Sequence, residues 1–470
     1  MEMRAIAVLA ALTGLCVSLA TAQDVKPWPV QRDTGYRGIW YFNQETKNEY
    51  VYKYSGGLGT YCVDHIPMAV YAPKADKTFF VYGGSPADKN TLLEMVSFYD
   101  HATGEFPRPV ILMDKKTTDA HDNPVLSIDQ DGRIWVFASA HGTSRPAYIF
   151  RSVKPYDISE WELTLETNFS YPQPWYIEGK GFLFLHTRYA PGRGLNWQTS
   201  TDGLTWSEPK QLAYIEEGDY QISWPWKDKV GTAFNHHPHA FQGNPKQKGL
   251  NWRTNLYYVE SRDFGTTWQT ASGEIVATPI TSPQTPALVH DYAAEGKLVY
   301  CCDLNYDASG NPIILYELST TFMPGPEGGP KEWLTARWTG TEWKILPVTT
   351  SDHNYDVGSM YVERDGLWRI IAPTEPGPQP YGVGGEVALW LSSDQGQTWK
   401  KERLITENST LNNSYCRRPL NAKPDFYAFW ADGDARKQSP SHLYFTTKEG
   451  QAFRMPAEMT GETAKATPIQ

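Results

Sequence analysis

The chain has 470 residues, 40% of them apolar, enough for one large all-β domain or two ordinary ones. Its net charge of −10 argues against a nucleic-acid partner, because neutralising a phosphate backbone takes a basic face. An anionic sugar needs only a local basic pocket and stays open. Aromatic residues make up 14%, with 18 Trp and 28 Tyr, which suits stacking on pyranose faces and equally the cores of barrels and propellers.

Residues 1–22 read as a signal peptide. Arg4 supplies the charged start, Ala5 to Leu19 the apolar stretch, and Ala20-Thr21-Ala22 the small-x-small cleavage site, so the mature chain is expected to begin near Gln23 and to be exported to a periplasm or beyond. The run is too short for a comfortable membrane span, and Leu15 before Cys16 is a poor context for lipid attachment. No later segment is long and apolar enough to cross a bilayer, so no membrane insertion is expected. After cleavage Cys62, Cys301, Cys302 and Cys416 remain, too few for a disulfide framework; Cys301-Cys302 ends an apolar run and reads as core.

From there the chain is short strand runs punctuated by Gly, Asp, Asn and Pro. Thr78 to Tyr82, Arg133 to Phe137, Gly181 to Leu185, Lys297 to Tyr300, Leu367 to Ile371 and Val387 to Leu391 are examples. Ser261-Arg262-Asp263-Phe264-Gly265-Thr266-Thr267-Trp268 recurs as Ser392-Ser393-Asp394-Gln395-Gly396-Gln397-Thr398-Trp399, and shortened as Ser200-Thr201-Asp202-Gly203-Leu204-Thr205-Trp206. These are Asp-box hairpin turns: the Asp caps turn amides, Gly takes the positive-φ position and Trp packs between blades. Trp338 to Trp343 is a looser turn of the same kind, and Pro324 to Pro330 reads as a loop between strands. Trp206 and Trp268 are about 62 residues apart, and Trp399 lies about two such steps further on. Dividing the mature chain by that step predicts one seven-bladed β-propeller over 23–470.

Polar and ionisable groups crowd the strand ends, which in a propeller converge on the axis. Asp119-Ala120-His121-Asp122-Asn123-Pro124 precedes a strand, and His141 and Arg145 follow it. His186-Thr187-Arg188-Tyr189 and Arg193 follow the next. Histidines, a tyrosine and arginines are what β-elimination from a uronic acid requires: a cation offsets the carboxylate, one group removes the adjacent proton and another protonates the leaving oxygen. Asn235-His236-His237-Pro238-His239 invites a zinc reading, but neighbouring histidines do not easily face one ion; no metal and no cofactor are expected.

His121-x-Asn123-Pro124, the Asp131-Gly132-Arg133-Ile134-Trp135 strand, His141-Gly142 and Arg145-Pro146 resemble the repeat family that contains the propeller ulvan lyases. The resemblance implies catalytic or substrate-contacting roles for His121, His141 and Tyr189. It adds Asn123 and Arg145 as substrate contacts, and Arg188, Arg193 or Arg253 as the arginine that neutralises the carboxylate. A second stretch, Tyr50 to Cys62 leading into Asp64-His65-Ile66-Pro67, is similar to propeller enzymes that remove terminal L-rhamnose from glucuronate in arabinogalactan side chains. There a single histidine works on the opposite face, and His65 holds the matching position. Three readings follow. The first is an enzyme cleaving rhamnose–glucuronate linkages, by hydrolysis or elimination. The second is an endo-acting ulvan lyase, and the third a non-catalytic glycan-binding propeller. A sialidase would need an arginine triad with a Tyr–Glu pair, which cannot be placed. The expected partner is an acidic polysaccharide, bound by a monomer.

Overall fold

A computed structural model describes residues 25–190 and 192–469. The expected signal peptide, with Cys16, lies outside the described residues. Seven antiparallel sheets follow one another along the chain as blades 1 to 7: 69–114, 124–167, 170–213, 219–290, 298–351, 359–404 and 412–468. In each, the first strand lines the axis and later strands step outward, so inner strands such as Pro124–Ile128, Ser170–Ile177 and Asp219–Trp226 stand side by side around the centre. The all-β, seven-bladed architecture read from the repeat spacing is the one present.

The turns picked out by their repeats join the third and fourth strands of blades 3, 4 and 6. Asp202, Asp263 and Asp394 accept backbone amides there, from Thr205 at 2.8 Å and from Thr267 and Thr398 at 2.9 Å. Gly265 sits at φ +79° against the Trp197 indole, where a β-carbon would meet the ring at 2.7 Å, so both the backbone conformation and the packing require glycine.

The ring closes between blades 7 and 1. Phe80 packs on Phe426 and Phe429 with centroids 5.7 and 5.8 Å apart, and each fully buried Phe contributes roughly 1.5–3 kcal/mol. The chain ends add edge clasps. Lys26–Trp28 pairs with the outer strand of blade 2 and Gln31–Arg32 with that of blade 1, while Thr463–Ala464, arriving from blade 7, pairs with Phe106–Pro107. One hairpin, Trp40–Glu45 with Tyr52–Gly57, belongs to no blade and lies on the face that carries the 119–122 turn and the loops around 141, 190 and 250.

Candidate active site

A cavity of about 120 Å³ opens on that face at the axis. Its walls come from blade-linking segments far apart in sequence: His121 and His141 beside blade 2, Tyr171 and Arg193 from blade 3, Tyr220 and Arg253 from blade 4, and Tyr54 from the hairpin. Tyr189 stands at the rim, its hydroxyl 3.1 Å from that of Tyr171 and its ring 6.0 Å from His141.

Asp119 organises the histidines. It caps the short 3-10 turn Ala120–Asp122, and its two carboxylate oxygens accept from His121 Nδ1 at 2.6 Å and His141 Nδ1 at 2.8 Å. That arrangement places the proton of each ring on Nδ1 and turns both Nε2 atoms away from the carboxylate. His121 Nε2 accepts from the Tyr61 hydroxyl at 2.7 Å; His141 Nε2 has no hydrogen-bond partner among the described residues. Burial alone would raise the Asp119 pKa, but the charge and hydrogen bonds of His121 and His141 hold the carboxyl well below the usual range. Burial likewise keeps His121 below the ordinary imidazole value, so it is neutral near pH 7. The Tyr189 phenol is pushed up, chiefly by burial, and stays protonated.

Opposite lies positive charge without a counter-ion. Arg193, Arg253 and Lys53 make no salt bridge to any carboxylate among the described residues. Arg253 donates to the Tyr355 hydroxyl at 2.7 Å and packs on Tyr220 and Tyr300; Arg193 packs on Tyr189 and Tyr220. Burial, and then the like charges of Arg253 and Arg193, push the Lys53 ammonium well below its ordinary value. Among the described residues the only carboxyl lining the cavity is Asp64, raised to about 6 by burial against the pull of Arg253. Cations held this way, unpaired and stacked on rings, await an anion.

Of the residues expected from sequence, His121, His141, Tyr189, Arg193 and Arg253 converge here, and four do not act as expected. Asn123 is fully buried and its amide donates to the carbonyls of Leu58, Gly59 and Tyr61 at 2.9, 3.2 and 2.6 Å, so it ties a loop and cannot reach substrate. Arg145 binds Asp122 through two contacts of 2.8 Å and Asp119 at 3.1 Å; it braces the carboxylate behind the histidines, and its charge is already matched. Arg188 ends the strand Gly181–Arg188 and is not a wall of the cavity. His65 is not on an opposite face: it is fully buried beneath the same pocket, its ring 5.7 Å from Tyr171 and both nitrogens without partners, because the 62–65 turn folds inward. His236, His237 and His239 diverge, toward Tyr257, Tyr220 and Glu217 respectively. The sequence reading missed Lys53, Tyr54, Tyr61 and the organising role of Asp119, although all four lie in the two stretches it singled out.

A family model described as a BNR repeat-containing family member matches residues 95–351, more than half of the chain. An ulvan lyase of Nonlabens ulvanivorans is 25% identical over 422 residues, covering 78% of this chain and 82% of that protein. "Ulvan Lyase-PL25" of Pseudoalteromonas sp. (strain PLSV) is 26% identical over 392 residues, 74% of this chain and 76% of its own. A solved ulvan lyase structure, described as a new family of polysaccharide lyase, superposes with a TM-score of 0.69 at 17% identity, over 93% of this chain and all of the other; it has also been solved bound to -[GlcA(1-4)Rha3S]-. With the repeats, the seven blades and a match of that extent, the chain belongs to the BNR repeat-containing family.

Proposed function

We propose that the protein is a polysaccharide lyase that cleaves rhamnose–uronate linkages by β-elimination, as the relatives named ulvan lyase do by their names. The observation that carries this reading is the pairing of unmatched Arg193 and Arg253 with a carboxylate-held histidine pair across one small pocket. The uronate carboxylate lies against the arginines, which offset its charge and make the C5 proton acidic. His141 Nε2 takes that proton; the electron pair forms the C4–C5 double bond as the C4–O bond breaks, and the Tyr189 phenol protonates the departing oxygen. Asp119 stabilises the imidazolium that results. The groups serve elimination without an added water.

Removal of terminal rhamnose by a lone histidine finds no support in the position of His65, which is enclosed under the Asp119 site rather than exposed elsewhere. Incubation with ulvan and, separately, with gum arabic tests the reading, following the ultraviolet absorbance of a conjugated, unsaturated uronate and the release of free rhamnose together. Absorbance rising on ulvan is the expected result. Free rhamnose without absorbance would favour hydrolysis, and binding without cleavage a glycan-binding propeller.

A further inference from the structure

Asp64 stands among the cations of the pocket and is paired with none of them. It lies in the turn that follows the Trp40–Glu45/Tyr52–Gly57 hairpin, where the His65 amide donates to the Cys62 carbonyl at 3.0 Å, and it lines the cavity near Arg253. The residue is 4% exposed, and its carboxyl makes one hydrogen bond to another residue, accepting from the Cys62 thiol at 3.3 Å. Two other carboxylates of this face are matched. Arg145 holds Asp119 at 3.1 Å and Asp122 at 2.8 Å, and Lys115 lies 3.6 Å from Asp122. Asp64 makes no salt bridge among the described residues, although Arg193 and Arg253 share its cavity without a carboxylate partner.

The groups around Asp64 leave its charge state to the substrate. On its own turn, burial pushes the Cys62 thiol up and the His65 imidazole down, so both are neutral near pH 7. Cys301 of blade 5 and Tyr355, ahead of blade 6, are raised by burial and stay protonated. The charged groups facing it are Arg253 and Arg417, and Arg417 donates to the carbonyls of Val63 and His65 on the same turn. Burial outweighs both arginines and raises the Asp64 carboxyl to about 6, so it is a carboxylic acid below that pH and a carboxylate above it. An anion against Arg193 and Arg253 decides between the two forms. Two carboxylates enclosed in a cavity of about 120 Å³ repel, and an ionised Asp64 offsets charge on Arg253 that the substrate needs. A protonated Asp64 does neither. It presents an O–H to the incoming carboxylate, and a hydrogen bond to an ionised acceptor is of the stronger kind.

We infer that Asp64 is a substrate-binding residue that acts as a carboxylic acid: it donates a hydrogen bond to the uronate carboxylate lying on Arg253, so that each anion bound brings a proton in from solvent. The inference rests on the lyase reading above. Because the acid form is the one that binds, affinity is fully present below about 6 and declines as pH rises above it. A methyl-esterified uronate carries no charge to draw the proton in, so its binding is blind to the state of Asp64.

D-glucuronate is the probe, titrated calorimetrically into the wild-type protein, with its methyl ester as the neutral control. The wild type should bind glucuronate more weakly by up to about ten-fold for each pH unit between ~6 and ~8. Buffers of different ionisation enthalpy at pH ~7.5 should show uptake of about one proton per glucuronate bound. The methyl ester should show neither effect. Asp64→Asn keeps a hydrogen-bond donor and cannot ionise. It should bind glucuronate at pH ~8 nearly as tightly as the wild type does at pH ~5.5, without proton uptake, with melting temperature as the control. Glucuronate binding to the wild type with no proton uptake and no dependence on pH, or the same uptake in Asp64→Asn, overturns the assignment of Asp64 and leaves the elimination reading standing. Absence of unsaturated product on every uronate polymer overturns that reading and this inference with it.

Discussion

His121 and His141 lie ring on ring, their centroids 3.9 Å apart and their planes 17° apart, although 20 residues and a blade hairpin separate them in sequence. The one carboxylate of Asp119, shared between their Nδ1 atoms, keeps the two rings so aligned. Asp119→Asn should leave the fold intact yet release both tautomers. A fall in kcat of about 10²–10⁴ is expected, the range that positioned acid–base groups contribute, with melting temperature as the control. Activity within a few-fold of wild type would show that the pair is not the proton-transfer apparatus.

Arg193 is expected to act through charge on the substrate. Arg193→Gln should lower kcat/KM strongly on a free uronate and much less on the methyl-esterified polymer, where no anion remains to be offset. Equal losses on both substrates would assign Arg193 to packing on Tyr189 and Tyr220.

Asn123 supplies the contrasting case. Asn123→Leu leaves the buried Tyr61 carbonyl without a donor, while those of Leu58 and Gly59 still accept from the Tyr61 and Gly83 amides, for a loss of stability of about 1–3 kcal/mol, and residual folded protein should retain its KM. A KM change without loss of melting temperature would return Asn123 to the substrate.

How the sequence stood to these residues follows from what each kind of signal contains. The blade count was legible because the Asp263 and Asp394 turns repeat a local hydrogen-bond pattern at a regular step. The convergence of His121, His141, Tyr189 and Arg193 was legible because residues at strand ends of a propeller share an axis, whereas Arg253 came only from the family resemblance. What a polar side chain does at a strand end was not: Asn123 and His141 look alike in sequence, yet one faces backbone carbonyls and the other the pocket. The hairpin of Trp40–Glu45 and Tyr52–Gly57 was hidden for a related reason. Its course depends on contacts such as Lys53 with His353, 300 residues apart, and no local periodicity records them.

His353 also gives a pH prediction. Burial, reinforced by the positive charges of Lys331 and Lys53, lowers its pKa to about 3. The unfolded chain takes up that proton near pH ~6.5 while the native state refuses it, so the native advantage is complete above ~6.5 and declines as pH falls toward about 3, by about 1.4 kcal/mol per pH unit. His353→Gln keeps an amide donor for the Lys53 carbonyl and cannot titrate. Its melting temperature should fall less steeply than that of the wild type between pH ~6.5 and ~4. Parallel curves would contradict the assignment.

Whether the bond breaks by elimination is read most directly from the mass of the product when cleavage is run in water enriched in heavy oxygen. Elimination by His141 and Tyr189 predicts fragments that together weigh the same as the intact substrate, one bearing the unsaturated uronate, with no heavy oxygen introduced by the cleavage step. Fragments that together exceed the substrate by one water, labelled at the cleavage site, would contradict it and establish hydrolysis at this pocket.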